Sequence, residues 1–335
     1  LNAAPMSVEP PRFSVVIPLY NKEGQIARAI DSVLAQSFQD FEIVVVDDGS
    51  KDRSAQVVAA YADPRVRLHR QANGGVSVAR NRGVELARSD TVAFLDGDDA
   101  WFPDHLDRLW QMRTAHPDAV AWALNYFVVD VAGGKTPGVT VVSEPRVLLT
   151  PENFFRIARH GTPVFSSAVA VSRAAIQRVG GFPAGIRLGE DIDTWIRLLF
   201  IGTIVFDSKP GPCYHADGDN RALVNHAPPA RYVFFDTDEA WVRAHPEARQ
   251  VAEDMEEFHN FFRLAHAHHQ IKWGDKAAGR AVLQSCRTTV FAGERRRLLR
   301  MSLLPQALYR ALGRLKRAPR SATSAGTAVS STSRS

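Results

Sequence analysis

Cysteine is almost missing from this chain. Cys213 and Cys286 are the only thiols in 335 residues, far apart and outside any CxxC or Cys/His spacing. Neither a zinc site nor a disulfide framework is expected, and a reducing compartment fits. No stretch approaches the roughly 18 apolar residues of a membrane-spanning helix, and the opening LNAAPMSVEPPR lacks a basic start followed by an apolar run. No export signal or spanning segment is expected, so the localisation expected is cytoplasmic, with a peripheral station at the inner face of the plasma membrane. GxGxxG does not follow the first apolar run, nor does a Gly-rich phosphate loop with a lysine. Their absence argues against a dinucleotide-binding Rossmann site and against a nucleotidyltransferase. Internal repeats are also lacking.

Acidic residues are scarce in one region only. Residues 294–335 hold ten Lys/Arg against the single acid Glu294, although the whole chain carries a formal charge of only +5. An acidic body with a basic tail points to an anionic surface met by the tail, a membrane rather than nucleic acid. Met301, Leu304, Leu308, Leu312 and Leu315 share one helical face opposite Arg310, Arg314 and Arg317, with Pro305 kinking or restarting the helix. Such a helix can lie in a membrane interface or pack on the body of the protein. Residues 321–335 are Ser/Thr/Ala-rich without apolar periodicity and are expected to be disordered.

What is present alternates in type. FSVVIPL (13–19), FEIVVV (41–46) and TVAFL (91–95) are short, continuous, β-branched runs of the kind buried on both faces of a parallel sheet. Helices are expected over 22–36, 52–62 and 76–87, with a short strand at 66–69, giving an α/β sandwich with right-handed crossovers. Past Asp99 a helix at 104–114 with Pro103 at N1, and strands at 119–129, 137–142 and 166–171, make the second half mixed. Several helices are expected between 230 and 292. The domains expected are a catalytic domain at 12–228, a helical extension at 229–320 and the 321–335 tail.

The chemistry gathers where strands end. Asp96-Gly97-Asp98-Asp99 follows TVAFL directly, at the sheet edge where open α/β sheets bind ligands. In extended backbone Asp96 and Asp98 face one side, and paired carboxylates favour a hard divalent cation, Mg²⁺ or Mn²⁺, bridging to a diphosphate; a solvated acidic turn is the alternative. Asp47-Asp48-Gly49-Ser50 follows the second strand, where one Asp can accept a base N–H and the other can cap the next helix. Pro18-Leu19-Tyr20-Asn21 ends the first strand and offers Tyr20 as a stacking face for a base.

VVIPLYNKEGQIARAIDSVLAQSFQDFEIVVVDDGSKD, NGGVSVARNRGVELA and VAFLDGDDAW, in that order and spacing, resemble the family 2 glycosyltransferases of the GT-A fold. A fourth element, Gly180-Gly181-Phe182 followed by GEDIDTW (189–195), resembles that family's acceptor-side motif. The likeness runs from about Phe13 to His215. It implies an inverting, metal-dependent transfer of a sugar from a nucleoside diphosphate, UDP-linked by expectation, to a glycan or polyprenyl-linked acceptor in cell-surface polysaccharide synthesis. By the same resemblance Pro18, Tyr20 and Asn21 border the nucleotide, Tyr20 stacks on the base, Asp48 binds its N–H, Asp96 contacts ribose, and Asp98 ligates the metal with Asp99 in reserve. Arg80 would contact the nucleotide, or stand as a surface helix arginine; His215 would reach the metal or diphosphate, or be structural. Asp191 is the implied catalytic base with Glu190 as its substitute, unless both acids only complement a helix N-terminus. The rival from another class is a non-catalytic nucleotide-sugar-binding scaffold of an assembly complex.

Overall fold

The computed structural model describes residues 9–130, 133–215, 227–305 and 308. The chain forms two compact units, Leu1–His266 and Ala267–Ser335.

In the first unit the expected parallel core is present. Strands β1 (Phe13–Leu19) and β2 (Phe41–Asp47) are buried at every position, and β3 (Val66–Arg70) and β4 (Thr91–Phe94) complete a parallel set in the order β3-β2-β1-β4. Alternation along β1 splits the core in two. Val15 and Ile17 pack with Ile26 and Ile30 of α1 (Ile26–Leu34) and with Leu106 and Leu109 of α4 (His105–Ala115). Val16 faces Ala79 of α3 (Val76–Leu86) and Trp195 of α7 (Glu190–Leu199). The short helix α2 (Ser54–Ala59) links β2 to β3. One charged residue interrupts the apolar run: Glu42 is buried, and its carboxylate accepts from Ser14 Oγ at 2.7 Å, Arg88 N at 2.8 Å and Arg67 Nη1 at 2.6 Å. Burial acts to raise its pKa, but these donors outweigh burial and hold it below the ordinary value.

The sheet continues from β4 through β9 (Val169–Ser172), β6 (Ala121–Val129), β10 (Ile204–His215) and β5 (Ala100–Trp101), with β7 (Lys135–Pro137) on β6 and β8 (Arg146–Leu149) on β10. Here antiparallel pairs join β4 to β9 and β9 to β6, so the second half is mixed, as expected. Because β2 and β3 lie on one side of β1 and β4 on the other, strand order reverses between β1 and β4. The crevice for a ligand therefore opens at their carboxyl ends.

Several boundaries differ from expectation. The first helix starts at Ile26, because Lys22 instead donates its backbone N–H to Ser54 Oγ at 2.7 Å. Pro103 lies before the cap Asp104 rather than at N1. The strand expected at 137–142 is only Lys135–Pro137, since the Asn125 side chain pairs with both backbone groups of Val139 and takes the place of a ladder. The strand expected at 166–171 begins as a 3-10 turn, Ser166–Ala168. Helices α5 (Pro151–Ala158) and α6 (Arg173–Arg178), with β5, β8 and β10, add to the expected set. The domain bound expected from sequence is 228/229, and the compact units divide at 266/267: α8 (Val233–Ala244) and the start of α9 (Arg249–Trp273) bury Phe234, Phe235 and Phe258 in the same cluster as Phe155 and Trp195.

The second unit contains the end of α9, α10 (Lys276–Ser285) and α11 (Ala292–Met301), closed over Ile271, Leu283 and Leu298. Helix α11 ends before Pro305. The basic face expected at Arg310, Arg314 and Arg317 and the tail at 321–335 lie outside the described residues. Among the described residues no helix is long and apolar enough to cross a membrane.

Candidate functional site

Strand ends deliver the residues expected at the nucleotide. Pro18 lies past the paired stretch of β1 and β4, which covers Ser14–Val16, so its missing N–H breaks no bond to β4. Tyr20, half-buried, and Asn21 follow directly. Asn21 adopts φ 51° and accepts from Lys51 N at 2.7 Å, tying the loop after β1 to the loop after β2. The two Asp residues after β2 divide their roles. Asp47 Oδ1 caps Ser50 N at 3.0 Å, while Asp48 accepts from Gln71 Nε2 at 2.8 Å, Gly74 N at 2.9 Å and Gly75 N at 2.8 Å. Asp48 thus organises the 71–75 loop, with one of its roughly four acceptor directions left over.

The turn after β4 brings three carboxylates into different surroundings. Asp98 Oδ2 receives the Lys22 ammonium at 2.5 Å, and the Asp98 backbone carbonyl accepts from the Arg28 guanidinium. Asp96 Oδ1 receives Arg80 Nη2 at 2.8 Å. Asp99 is buried, with Oδ2 held by Ser167 Oγ at 2.6 Å and Oδ1 by the backbone N–H of His215 at 3.0 Å. Burial pushes Asp99 well above the usual carboxylate range, and the charges of Asp96 and Asp98 add to this.

The residues expected on the acceptor side come from α7. Gly189 starts it at φ 84°, where a Cβ would lie 2.7 Å from the Tyr232 ring, so a bare backbone is required. Glu190, Asp191 and Asp193 fill the first turn, where acids suit the helix dipole. Glu190 is buried and accepts from Arg80 Nη1 at 3.1 Å; Asp191 lies deep in protein but keeps part of its surface open, and accepts from Ser166 Oγ at 3.3 Å. Burial and the neighbouring charge of Asp191 push Glu190 up to about 7, against the pull of Arg80. Burial likewise raises Asp191, opposed by Arg80.

Arg80 is therefore not a surface arginine. It is 3% exposed, spans Asp96 and Glu190, and stacks its guanidinium 5.2 Å from the Phe182 ring centroid. Neighbouring contacts join the same motifs: Asn81 bonds both backbone groups of Phe182 at 2.8 Å, and Arg197 Nη2 donates to Gly181 O at 2.7 Å. VSVARN, GGF and GEDIDTW are one assembly, though about 100 residues separate the first from the others.

Sequence reasoning overlooked Lys22, Ser166 and Ser167. Lys22 carried a usable signal, two residues beyond Tyr20 in the same loop. The two serines carried none, being a short polar step with no motif around it.

Comparison with known proteins gives the family. The sequence model of Glycosyl transferase family 2 matches residues 14–180. The chain belongs to that family. Succinoglycan biosynthesis protein ExoW of Rhizobium meliloti (strain 1021) is 36% identical over 215 residues, 59% of this chain and 65% of that protein. Uncharacterized glycosyltransferase EpsJ of Bacillus subtilis (strain 168) is 47% identical over 91 residues, 27% of this chain and 26% of its own length. The chain thus spans about a quarter of EpsJ and just under two thirds of ExoW. Among solved structures, S. aureus TarS 1-349 in complex with UDP-GlcNAc superposes with TM-score 0.64 at 18% identity, covering 91% of this chain and 92% of that one. The fold is GT-A, as expected from the sequence.

Among the described residues no three His, Cys, Asp or Glu side chains gather as a complete metal cage. The donors at the β4 turn are hard carboxylate oxygens, which suit Mg²⁺ or Mn²⁺, ions that take one or two carboxylates and draw their other ligands from phosphates and water. Asp98 already holds a cation in the form of the Lys22 ammonium, so the position accommodates positive charge. Asp99 has both oxygens committed to protein donors, and His215 stands beside it through its backbone.

Proposed function

We propose that this protein is an inverting glycosyltransferase that moves a sugar from a nucleoside diphosphate, of the UDP type, onto a hydroxyl of a glycan or polyprenyl-linked acceptor in polysaccharide synthesis. One observation carries the reading: a single buried guanidinium, Arg80, touches the donor-side carboxylate Asp96 and the acceptor-side Glu190 at 2.8 and 3.1 Å. The complexes of TarS with UDP-GlcNAc and UDP, and the succinoglycan role in ExoW's name, support the choice of donor and product class.

In this reading Tyr20 and the leftover acceptor direction of Asp48 hold the base, and Asp96 receives the ribose. Asp191 takes the proton of the acceptor hydroxyl as its oxygen forms a bond to the anomeric carbon, and the bond from that carbon to the diphosphate oxygen breaks. Asp98 would hold a divalent cation, with Asp99 and His215 at the margin, and such an ion neutralises charge on the departing diphosphate. Raised pKa values suit an acid that must accept a proton near neutral pH.

Thermal shift with a panel of nucleotide sugars, with and without Mn²⁺, tests the donor, since a bound ligand raises apparent stability. Asp98→Ala is expected to lose the Mn²⁺-dependent part of nucleotide binding. Asp191→Asn is expected to bind donor normally and to transfer at least about a thousandfold more slowly, in line with loss of a general base together with its orienting charge. Undiminished transfer by Asp191→Asn would remove the base assignment, and no shift with any nucleotide sugar would remove the function.

A further inference from the structure

Among the described residues exposed large apolar side chains are few, and the two most exposed both belong to the second unit: Leu303 at 74% and Trp273 at 63%. They are 30 residues apart in sequence, but hydrogen bonds bring the segments that carry them together. The Lys276 ammonium donates to the Leu304 carbonyl, and Arg280 Nη1 to the Ser302 carbonyl at 3.4 Å, so the junction of α9 and α10, which Trp273 opens, rests against the end of α11. Cations accompany both segments. Lys272 stands over the Trp273 ring at 5.4 Å, and Arg296 and Arg300 are exposed one turn apart on α11, with Leu303 next along the same side. Residues 267–305 hold eight Lys/Arg against the two acids Asp275 and Glu294.

We infer that these two segments dock on an anionic phospholipid surface, Trp273 and Leu303 entering the headgroup boundary while Arg296 and Arg300 meet lipid phosphates. An indole and an aliphatic side chain left in water on segments that carry exposed cations match the interfacial preference of tryptophan and the pull of anionic headgroups. Nucleic acid would use the cations but gives Leu303 no apolar partner. The contact lies upstream of the basic face expected from the sequence at residues 310–317, and it is independent of the sugar-transfer reading.

Flotation of the full-length protein with phosphatidylcholine vesicles, with and without phosphatidylglycerol, tests it. Wild type is expected to float only with phosphatidylglycerol present. Trp273→Ser/Leu303→Ser is expected to weaken binding about tenfold or more, from lost apolar burial, and Arg296→Gln/Arg300→Gln by about fivefold for each cation removed. These side chains are exposed, so unchanged melting temperature and nucleotide-induced shift are expected in both variants. Trp273→Phe is expected to float still while losing the tryptophan quenching that brominated lipids cause in wild type. Wild type that stays unbound, a Ser/Ser variant that floats as well as wild type, or binding to RNA without flotation would each overturn the inference.

Discussion

Among the described residues Arg80 is the only side chain that bonds both Asp96 and Glu190, and replacing it with Met removes that link. Two charge-assisted bonds and a stacking contact over Phe182 go with it, while three acids, Asp96, Glu190 and Asp191, remain around the gap. Breaking one side of a buried ion pair costs about 3–5 kcal/mol when the remaining charge persists. Here Glu190, already raised to about 7, can relieve part of that cost by binding a proton. The more telling effect is on pH. A unit charge about 4 Å away contributes about 4 kcal/mol at an effective dielectric of about 20, or about three pH units as an upper bound. With water entering the gap, a shift of about one to two units is the working expectation. In the proposed mechanism Asp191 accepts a proton only when ionised, so transfer is expected to rise with pH through the titration of the Glu190–Asp191 pair, and loss of Arg80 is expected to move that rise to higher pH. Initial rates of transfer between about pH 5.5 and 10 for wild type, Arg80→Met and Arg80→Lys test this, each checked for folding by melting temperature. Arg80→Lys keeps the charge but not the fork, and is expected to retain the wild-type rise with a lower plateau. An Arg80→Met profile that is merely scaled down, its acid limb unmoved, would refute the electrostatic link between Arg80 and the base.

Glu190→Gln reports on stability through the same group. An acid whose folded pKa exceeds its unfolded value binds more protons when folded, so its contribution falls as pH rises from about 4.5 to about 7; the variant's melting temperature is expected to gain on wild type across that window, and an equal gap at pH 5 and pH 8 would count against the raised value. Gly83→Ala places a Cβ 2.2 Å from Val16 Cγ1, where α3 crosses β1, and is expected to cost about 1–3 kcal/mol in denaturant unfolding; an unchanged midpoint would mean that the two elements separate freely. Lys22→Met frees Asp98 of its ammonium and is expected to tighten Mn²⁺ binding to the nucleotide-free protein by calorimetry, whereas weaker binding would place the ion elsewhere.

The parts of the fold that could be read from sequence were those in which local pattern and burial coincide. β1, β2 and β4 are continuous apolar runs because both faces of a parallel strand are covered, and the acids that follow them mark the sheet's carboxyl edge. β10 escaped because IVFDSKPGPCYH contains Pro210, Gly211 and Pro212 and reads as a turn. Register shifts between Asp207 and Pro210, and again before Cys213, let the strand absorb them. Arg80 could not be placed from its helix, since its burial depends on Glu190, 110 residues away. The extent of the first unit was hidden for a similar reason. Helical spacing identifies α8 and α9 as helices, but nothing in it states that Phe234 and Phe258 pack into the cluster that contains Trp195.

Why Asp191 stands near the turn after β4 follows from strand direction. β4 runs toward Asp96, and β9 pairs with it antiparallel, Thr91 opposite Ser172 and Ala93 opposite Ala170. The beginning of an antiparallel strand lies where its partner ends, so the segment entering β9, the 3-10 turn Ser166–Ala168, must arrive at the carboxyl edge of β4. Ser167 there donates to Asp99 at 2.6 Å and accepts from Asp96 N at 3.0 Å, while Ser166 donates to Asp191 at 3.3 Å. Two adjacent serines thus tie the donor turn to the candidate base by a route separate from Arg80, and Asp99, enclosed and held by Ser167 and His215, anchors it. A purely parallel continuation after β4 would have put the start of the next strand at the opposite edge of the sheet. The change from parallel to antiparallel pairing at β9 is therefore what brings Asp96 and Asp99 of the β4 turn together with Asp191 of α7.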